Sequence, residues 1–322
     1  KYTINIILYS LKMSNILIIK HGSLGDLIQA NGAIEDIKKS NPKSHIVLLT
    51  SSYYSYLMSK CPYVDEVFVD KRLPRWNLFY LYKLKKQLSA FNFTYVYDLQ
   101  NSSRTKFYKK YIINLAKWSS TETTLEPGQL KSDFDQEPVL KRMEIQLKKS
   151  GIKTDNVKKS NLNWAILNIR HITKDYINKK YIIIFPFCSP KLISKKWPYY
   201  SILITQLRSR YGNKYDIVTA PGPKEIEESK LLNARIILNK GKSLNIDELI
   251  SLIKDSSFVV ANDTGPAHIC THLNKAGLAL FGSHTSAEKV SIESEKFKPI
   301  SVKDLSLLKV ETVMDKIKKV LD

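Results

Sequence analysis

Two stretches carry residue types that could hold a phosphorylated ligand and move a proton. The first is Asn262, Asp263, Thr264, Gly265, Pro266, Ala267 and His268, directly after the apolar run Phe258 to Ala261. A short apolar run bounded by polar residues reads as a buried strand, and Pro266 suits the first turn of a helix. A strand that feeds a glycine-containing turn and then a helix presents backbone N–H groups at the positive end of the helix dipole, a ready phosphate site. Thr264 can cap that helix or donate its hydroxyl, and Asp263 can accept from a ribose or anchor the turn. His268 lies about one turn in. An ordinary strand–turn–helix would use Asp263 and Thr264 as caps alone.

The second stretch is Gly22, Ser23, Leu24, Gly25 and Asp26, between the apolar run Ile16 to Lys20 and a helical pattern carrying Leu27, Ile28, Ala33, Ile34 and Ile37. Gly22 and Gly25 let the backbone turn sharply and approach a ligand. The dinucleotide fingerprint would need a third glycine where Ile28 stands. The pattern instead places a carboxylate, Asp26, at the mouth of a cleft; the alternative is that Asp26 merely caps the helix. A third segment, Pro186 to Pro190 followed by Ser194 to Pro198, also lies between a strand and a helix. Ser189 and Lys195 there can bind phosphate oxygens, and Trp197 with Pro198 can fix the helix start by packing.

Positioning these residues takes alternating strands and helices. Strands are predicted at Ile16 to Lys20, His45 to Thr50, Val67 to Val69 and Tyr95 to Leu99, with helices at Tyr54 to Lys60 and Leu78 to Phe91. From Trp118 to Pro138 the apolar rhythm stops, which predicts a long mobile surface loop. That loop contains Asp133, Phe134 and Asp135, a two-aspartate spacing that can hold a metal and diphosphate, but no strand precedes it. A helix from Pro138 to Ser150 and a lysine-rich stretch from Gly151 to Ser160 close the first half. The second half is predicted to hold strands at Tyr181 to Phe185, Asp216 to Thr219, Arg235 to Leu238, Phe258 to Ala261 and Leu278 to Phe281. Its helices include Asn245 to Lys254 and Val310 to Leu321. The fold class is α/β, with parallel sheets in two domains, 13–160 and 161–322, whose strand C-terminal ends face across a cleft. Residues 1–12 precede Met13 and are read as an N-terminal extension without a functional role.

The 322 residues suffice for two ordinary cores, and 43% apolar with 25% charged residues is a globular composition. No apolar run approaches the roughly 20 residues that cross a bilayer. Lys and Arg number 51 against 30 Asp and Glu, a net +21, which points to an acidic partner or to a compositional drift toward Lys. Cys61, Cys188 and Cys270 lie far apart and suit a reducing compartment.

Lys20 to Asp26, Ser194 to Pro198, Ala220 to Pro223 and Asn262 to His268 occur in the order and spacing of glycosyltransferase family 9, the heptosyltransferases of lipopolysaccharide core assembly. The chain resembles that family from Met13 to Asp322. The resemblance implies a GT-B fold: two Rossmann-like domains, an acceptor-side N-terminal one and a C-terminal one holding the donor, ADP-heptose, without a metal or other cofactor. It matches Asp26 to the proposed general base, within an acceptor-side loop containing Gly22, Ser23 and Gly25. It matches Lys195 to the donor phosphates, and Asp263, Thr264, Gly265 and His268 to the donor-binding turn and helix. An acidic residue that contacts the donor ribose is expected after Gly222; Glu225 fits, although Lys224 stands nearer. Gly32 replaces a common proline, and Gly282, Ser283 and His284 replace a Gly-Pro-Thr-like loop.

The resemblance implies an inverting transfer of heptose, or a related sugar, from a nucleotide-sugar donor to a lipopolysaccharide core or similar membrane-linked glycan. A phosphorylated or acidic glycolipid acceptor, a cytoplasmic location and peripheral contact with the anionic cytoplasmic face of the inner membrane go with it. Two alternatives are a GT-B-fold sugar-nucleotide epimerase and a non-catalytic basic nucleic-acid binder. The binder would use aromatics interleaved with cations, as at Lys106, Tyr108, Lys109, Lys110 and Tyr111; the glycosyltransferase reading expects no nucleic-acid partner.

Overall fold

A computed structural model describes residues 14–160 and 162–322. Residues 1–12, read above as an extension, lie outside the described residues. Apolar residues on both faces suit central parallel strands covered by helices on each side. The first half builds a five-stranded parallel sheet from β1 (Asn15–Ile19), β2 (His45–Thr50), β3 (Glu66–Val69), β4 (Phe93–Asp98) and β5 (Lys117–Ser119), in the order β3-β2-β1-β4-β5. Ile18 of β1 pairs with Leu48 on one side and Tyr97 on the other.

The second half builds a six-stranded parallel sheet from β6 (Lys180–Phe185), β7 (Tyr215–Thr219), β8 (Arg235–Ile236), β9 (Phe258–Asn262), β10 (Gly277–Phe281) and β11 (Phe297–Ser301), ordered β11-β10-β9-β6-β7-β8. In both sheets the first strand has neighbours from opposite directions of winding. The chain therefore reverses between β1 and β4 and between β6 and β9, and such switch points open crevices at the strand C-terminal ends.

The helices that matter for the site are α1 (Leu24–Ser40), α2 (Ser52–Met58), α3 (Leu78–Ser89), α4 (Ser103–Tyr111), α5 (Val139–Lys149), α6 (Tyr200–Tyr211), α7 (Ile246–Asp255), α8 (Gly265–His272) and α9 (Val310–Leu321). α1 is buried along most of its length and packs against α8 of the second half. Its middle meets the connecting segment: Asp36 accepts from the backbone N–H groups of Asn156 and Val157 at 3.0 Å, and Asn31 accepts from the Trp164 indole at 3.1 Å. A Cβ on Gly32 would fall inside 3.0 Å of the Asn156 carbonyl, so the residue that replaces proline is one the packing requires. α6 and α9 cover the outer face of the second sheet around Trp197, whose indole donates to the Leu308 carbonyl at 2.9 Å.

Several elements differ from the sequence reading. The stretch from Trp118 to Pro138 is not a bare loop. It begins with β5, continues in short helical turns at Thr121–Thr124 and Lys131–Phe134, and buries Trp118 and Phe134. Asp135 of the two-aspartate spacing is salt-bridged to Lys131 and to Arg142, and Asp133 accepts from Ser132 at 3.2 Å. α4 and the edge strand β11 were not anticipated, and β8 is shorter than expected. Among the described residues no helix is long and apolar enough to cross a membrane.

Candidate active site

Four connections converge between the two sheets. The turn after β1 brings Ser23, Leu24 and Gly25; the segment after β6 brings Phe187, Cys188 and Ser189; the loop after β7 brings Ala220 to Pro223 and Glu225; the turn after β9 brings Thr264, Gly265 and Pro266. Together with Tyr53 of α2 and the apolar side chains Leu244, Ile246 and Leu249, they line a cavity of about 280 Å³. Its floor is the β6–β9 switch point, and the start of α8 opens onto it.

The local chemistry of that start follows from the sequence. Thr264 occupies the N-cap position with extended backbone and Pro266 sits in the first turn, but the Thr264 hydroxyl donates to the Asn262 carbonyl at 3.3 Å instead of capping the helix. Asp263 is buried between two partners: Lys195 Nζ at 2.5 Å and His284 Nε2 at 3.0 Å, both on Oδ2. The carboxylate therefore anchors the turn and fixes the lysine beside the helix start. His284 in turn stacks on Phe281, with ring centroids 6.1 Å apart.

Glu225 Oε2 accepts from the Gly222 backbone at 2.7 Å, and burial raises its pKa although that hydrogen bond opposes the shift. The side chain expected near a ribose thus lines the cavity, whereas Lys224 lines a neighbouring one of about 500 Å³ with Lys196 and Glu228, which Glu225 also borders.

His268 does not line the cavity. It is buried beneath the turn, and burial drives its pKa down to about 4 against the upward pull of Asp263 and Asp26. Its imidazole lies against Gly25: a Cβ there would sit 2.7 Å from Nε2. Across the same contact, a Cβ on Gly265 would sit 2.8 Å from a methyl carbon of Leu24. The two glycine-bearing turns therefore interlock.

Asp26 sits on the other side of this junction. Ser23 caps α1, and both its backbone N–H (2.8 Å) and its hydroxyl (3.0 Å) donate to Asp26 Oδ2. Asp26 is thus the third residue of the helix in a reciprocal capping box, not the cap itself. It lines a second cavity of about 140 Å³ at the β1–β4 switch point, together with Lys20, Gln100, Asn101, Arg142 and Gln146. Lys20 is buried; desolvation lowers its pKa while Asp26 and Asp98 pull it up, and its ammonium donates to the Leu99 carbonyl at 2.9 Å. Gly22 has φ +101° and lies under the Tyr54 ring, a conformation and a space that only glycine fills without strain. Burial pushes the Tyr54 hydroxyl up to about 12.

The structure therefore brings Ser189, Glu225, Thr264, Gly265, Ser23 and Gly25 to one cavity, leaves Lys195, Asp263 and His268 outside its lining, and puts Asp26 in a second cavity. A family model described as "Glycosyltransferase family 9 (heptosyltransferase)" matches residues 81–312. This chain belongs to glycosyltransferase family 9. The family-9 chain is 24% identical over 320 residues to lipooligosaccharide heptosyltransferase 2 of Haemophilus influenzae, covering 92% of this chain and 91% of that protein. Its fold is similar to that of the glycosyltransferase family 9 protein from Veillonella parvula, with a TM-score of 0.75, 18% identity, and 96% and 97% of the two chains covered. It is also similar to the Escherichia coli ADP-heptose heptosyltransferase II, with a TM-score of 0.73, 19% identity, and 95% and 98% covered. The two facing parallel sheets are thus the GT-B arrangement of these structures.

Sequence reasoning missed Tyr53 and Arg142, and gave no site role to Lys20 and His284 although both fell in stretches compared with the family. His284 stands three residues beyond the end of β10, a position that could have drawn attention to it. The aromatic–cation cluster around Lys106 is largely engaged within the fold, although Lys110 lies 5.1 Å over the exposed Tyr111 ring. Tyr108 is buried with its hydroxyl 2.8 Å from Asp70, and Lys106 and Lys109 pair with Glu122.

Proposed function

We propose that this family-9 enzyme is an inverting glycosyltransferase that moves heptose, or a closely related sugar, from ADP-heptose to a lipopolysaccharide-core or similar membrane-linked glycan. The observation that carries the reading is the placement of two switch-point cavities on either side of one junction, with an anion site on one side and a carboxylate on the other. The E. coli neighbour is named for ADP-heptose, which supports that donor.

In this reading the donor diphosphate sits at the start of α8, near Lys195. A helix N-terminus supplies roughly half a positive charge and Lys195, held beside it by Asp263, adds a cation, so together they offset part of the diphosphate charge without a divalent ion. Glu225 accepts from the ribose, and Ser189 contacts phosphate oxygens. The acceptor enters the β1–β4 cavity, where Lys20 and Arg142 suit a phosphorylated or acidic glycan. Asp26 takes the proton of the acceptor hydroxyl as that oxygen bonds to the anomeric carbon; the anomeric carbon–oxygen bond to the phosphate breaks, and the nucleoside diphosphate leaves with the electron pair. Both Ser23 hydrogen bonds fall on Oδ2, so they steer the carboxylate without engaging Oδ1.

Such an acceptor places the enzyme in the cytoplasm at the inner membrane's inner face. The test is a donor screen, comparing ADP-heptose with UDP-, GDP- and other ADP-sugars for binding and turnover. ADP-heptose should give the highest kcat/KM; faster turnover of another sugar nucleotide, or release of a free epimerised donor, would contradict the reading.

A further inference from the structure

The chain's positive charge is unevenly placed. Residues 71–121 hold eleven Lys or Arg and one acid, Asp98, so this sixth of the sequence carries a net +10 of the total +21. Asp98 is buried, and the next acid along the chain, Glu122, pairs Lys106 and Lys109. Lys71, Arg72, Arg75, Lys83, Lys85 and Lys86 are all exposed.

Large apolar side chains stand exposed among these cations. Trp76 is 80% exposed, Leu78 75%, Phe79 80% and Tyr82 67%. The inner face of α3 is already satisfied by Leu81, Leu84 and Leu88, which are buried against the first sheet with Tyr108 and Ile112. The exposed residues therefore belong to a second face at the opening turn of the same helix. A soluble surface scatters such residues singly; four of them within seven positions form a patch that marks an interaction site.

The patch is held firmly. Arg75 donates to Ser103 of α4 at 2.8 Å and lies 5.6 Å over the Phe107 ring, and Arg104 donates to the Leu73 carbonyl at 2.9 Å. Asn77 caps α3 by accepting from the Tyr80 backbone at 2.9 Å. The segment is also tied to the acceptor-side loop. Asp70, at the end of β3, lies 2.8 Å from His21 Nε2 and is hydrogen-bonded by Tyr80 and Tyr108. These bonds outweigh its burial and hold its carboxyl well below the usual range. His21 immediately precedes Gly22, so the patch and the Asp26 cavity share one frame.

We propose that Trp76, Leu78, Phe79 and Tyr82 form a wedge that inserts into the interfacial layer of an anionic lipid bilayer, with the surrounding lysines and arginines on the phosphate headgroups. Aromatic rings with a polar edge favour the headgroup level, and an apolar face flanked by cations binds anionic membranes through both terms together. The wedge presents the Asp26 cavity toward lipid-anchored acceptors, and in that respect it rests on the proposed function. The occupant is a lipid surface because a second copy of this chain would bring two patches of the same sign together, whereas an anionic bilayer complements the charge.

The test needs neither donor nor acceptor, so it stands apart from the transferase reading. Full-length protein is sedimented with vesicles of phosphatidylcholine alone or mixed with phosphatidylglycerol. Binding should require phosphatidylglycerol and fall with added salt. The variant carrying Trp76→Ser and Phe79→Ser, and the variant carrying Lys83→Glu, Lys85→Glu and Lys86→Glu, should each lose about tenfold or more in partitioning with unchanged thermal transitions. Lipids brominated along the acyl chain should quench emission in the parent but not in Trp76→Phe. Equal binding by parent and variants, equal binding to neutral vesicles, no quenching, or a vesicle-free dimer abolished by the Trp76 and Phe79 changes would each overturn the proposal.

Discussion

Gly25 of the N-terminal half lies directly against the imidazole of His268 of the C-terminal half, close enough that any side chain at position 25 would strike the ring. The contact joins the turn that carries Asp26 to the helix start that faces the donor cavity. It explains in packing terms why a glycine stands one residue before the carboxylate: backbone φ at Gly25 is ordinary, and the neighbouring ring is what excludes a Cβ. A side chain there would push the two halves apart at the point where their chemistry must meet.

Gly25→Ala should therefore destabilise the protein by about 1–3 kcal/mol, the usual cost of overpacking a buried contact. Activity should fall more than stability alone explains, because the spacing between Asp26 and the donor cavity changes. Combining it with His268→Ala should recover part of the stability, and a double-mutant cycle read from denaturant midpoints checks the coupling. Strict additivity would mean that the two residues do not communicate.

Acid should weaken the fold through the buried His268 and the partly buried His272. Burial brings His268 and His272 each down to about 4 from the ordinary 6.5. Both are neutral when folded, so between those values the unfolded chain binds more protons and stability falls as pH drops. The contribution is fully present above about 6.5 and is lost progressively toward 4, at on the order of 1.4 kcal/mol per unit for each histidine. Urea unfolding at several pH values between 7.5 and 4.5 measures the slope. His272→Gln should flatten it.

Lys195 and Asp263 can be separated experimentally. Lys195→Ala should raise the donor dissociation constant about tenfold or more, as loss of a charge-assisted contact does. It should also cost stability, since the buried Asp263 carboxylate keeps only His284. Adding Asp263→Asn should restore the thermal midpoint while donor binding stays weak. Restored donor affinity in the double variant would show that Lys195 serves only the turn. EDTA should leave the parent's activity intact.

Much of this was legible in the sequence because buried parallel strands are written as continuous apolar runs. Ile16 to Ile19 and Phe258 to Ala261 announce themselves that way, and the turns after them carried the site motifs. The edge elements were not legible. β11 alternates buried Phe297 and Ile300 with exposed Lys298, and β5 is three residues long with an exposed Lys117 at its start. α4 lacks an apolar stripe; Tyr108 and Thr105 are its buried residues, and Tyr108 is held there by Asp70, which is far away in sequence. Tyr53 and Arg142 reach their cavities from elements without a motif, so only the fold could bring them in. The same holds for the role of Asp263, whose partners Lys195 and His284 come from separate connections.

The most direct measurement is the turnover of Asp26→Asn. Asparagine keeps the shape and an oxygen that can accept from Ser23, so the capping box should lose on the order of 1 kcal/mol or less. It cannot take a proton from the acceptor, and removal of a general base typically lowers rate by roughly 10²–10⁴-fold. The expected result is a variant with a near-parental thermal midpoint, unchanged ADP-heptose binding, and kcat reduced at least a hundredfold. A folded, donor-binding Asp26→Asn enzyme that turns over within a few-fold of the parent would show that Asp26 only secures the start of α1, and would contradict its role as the base.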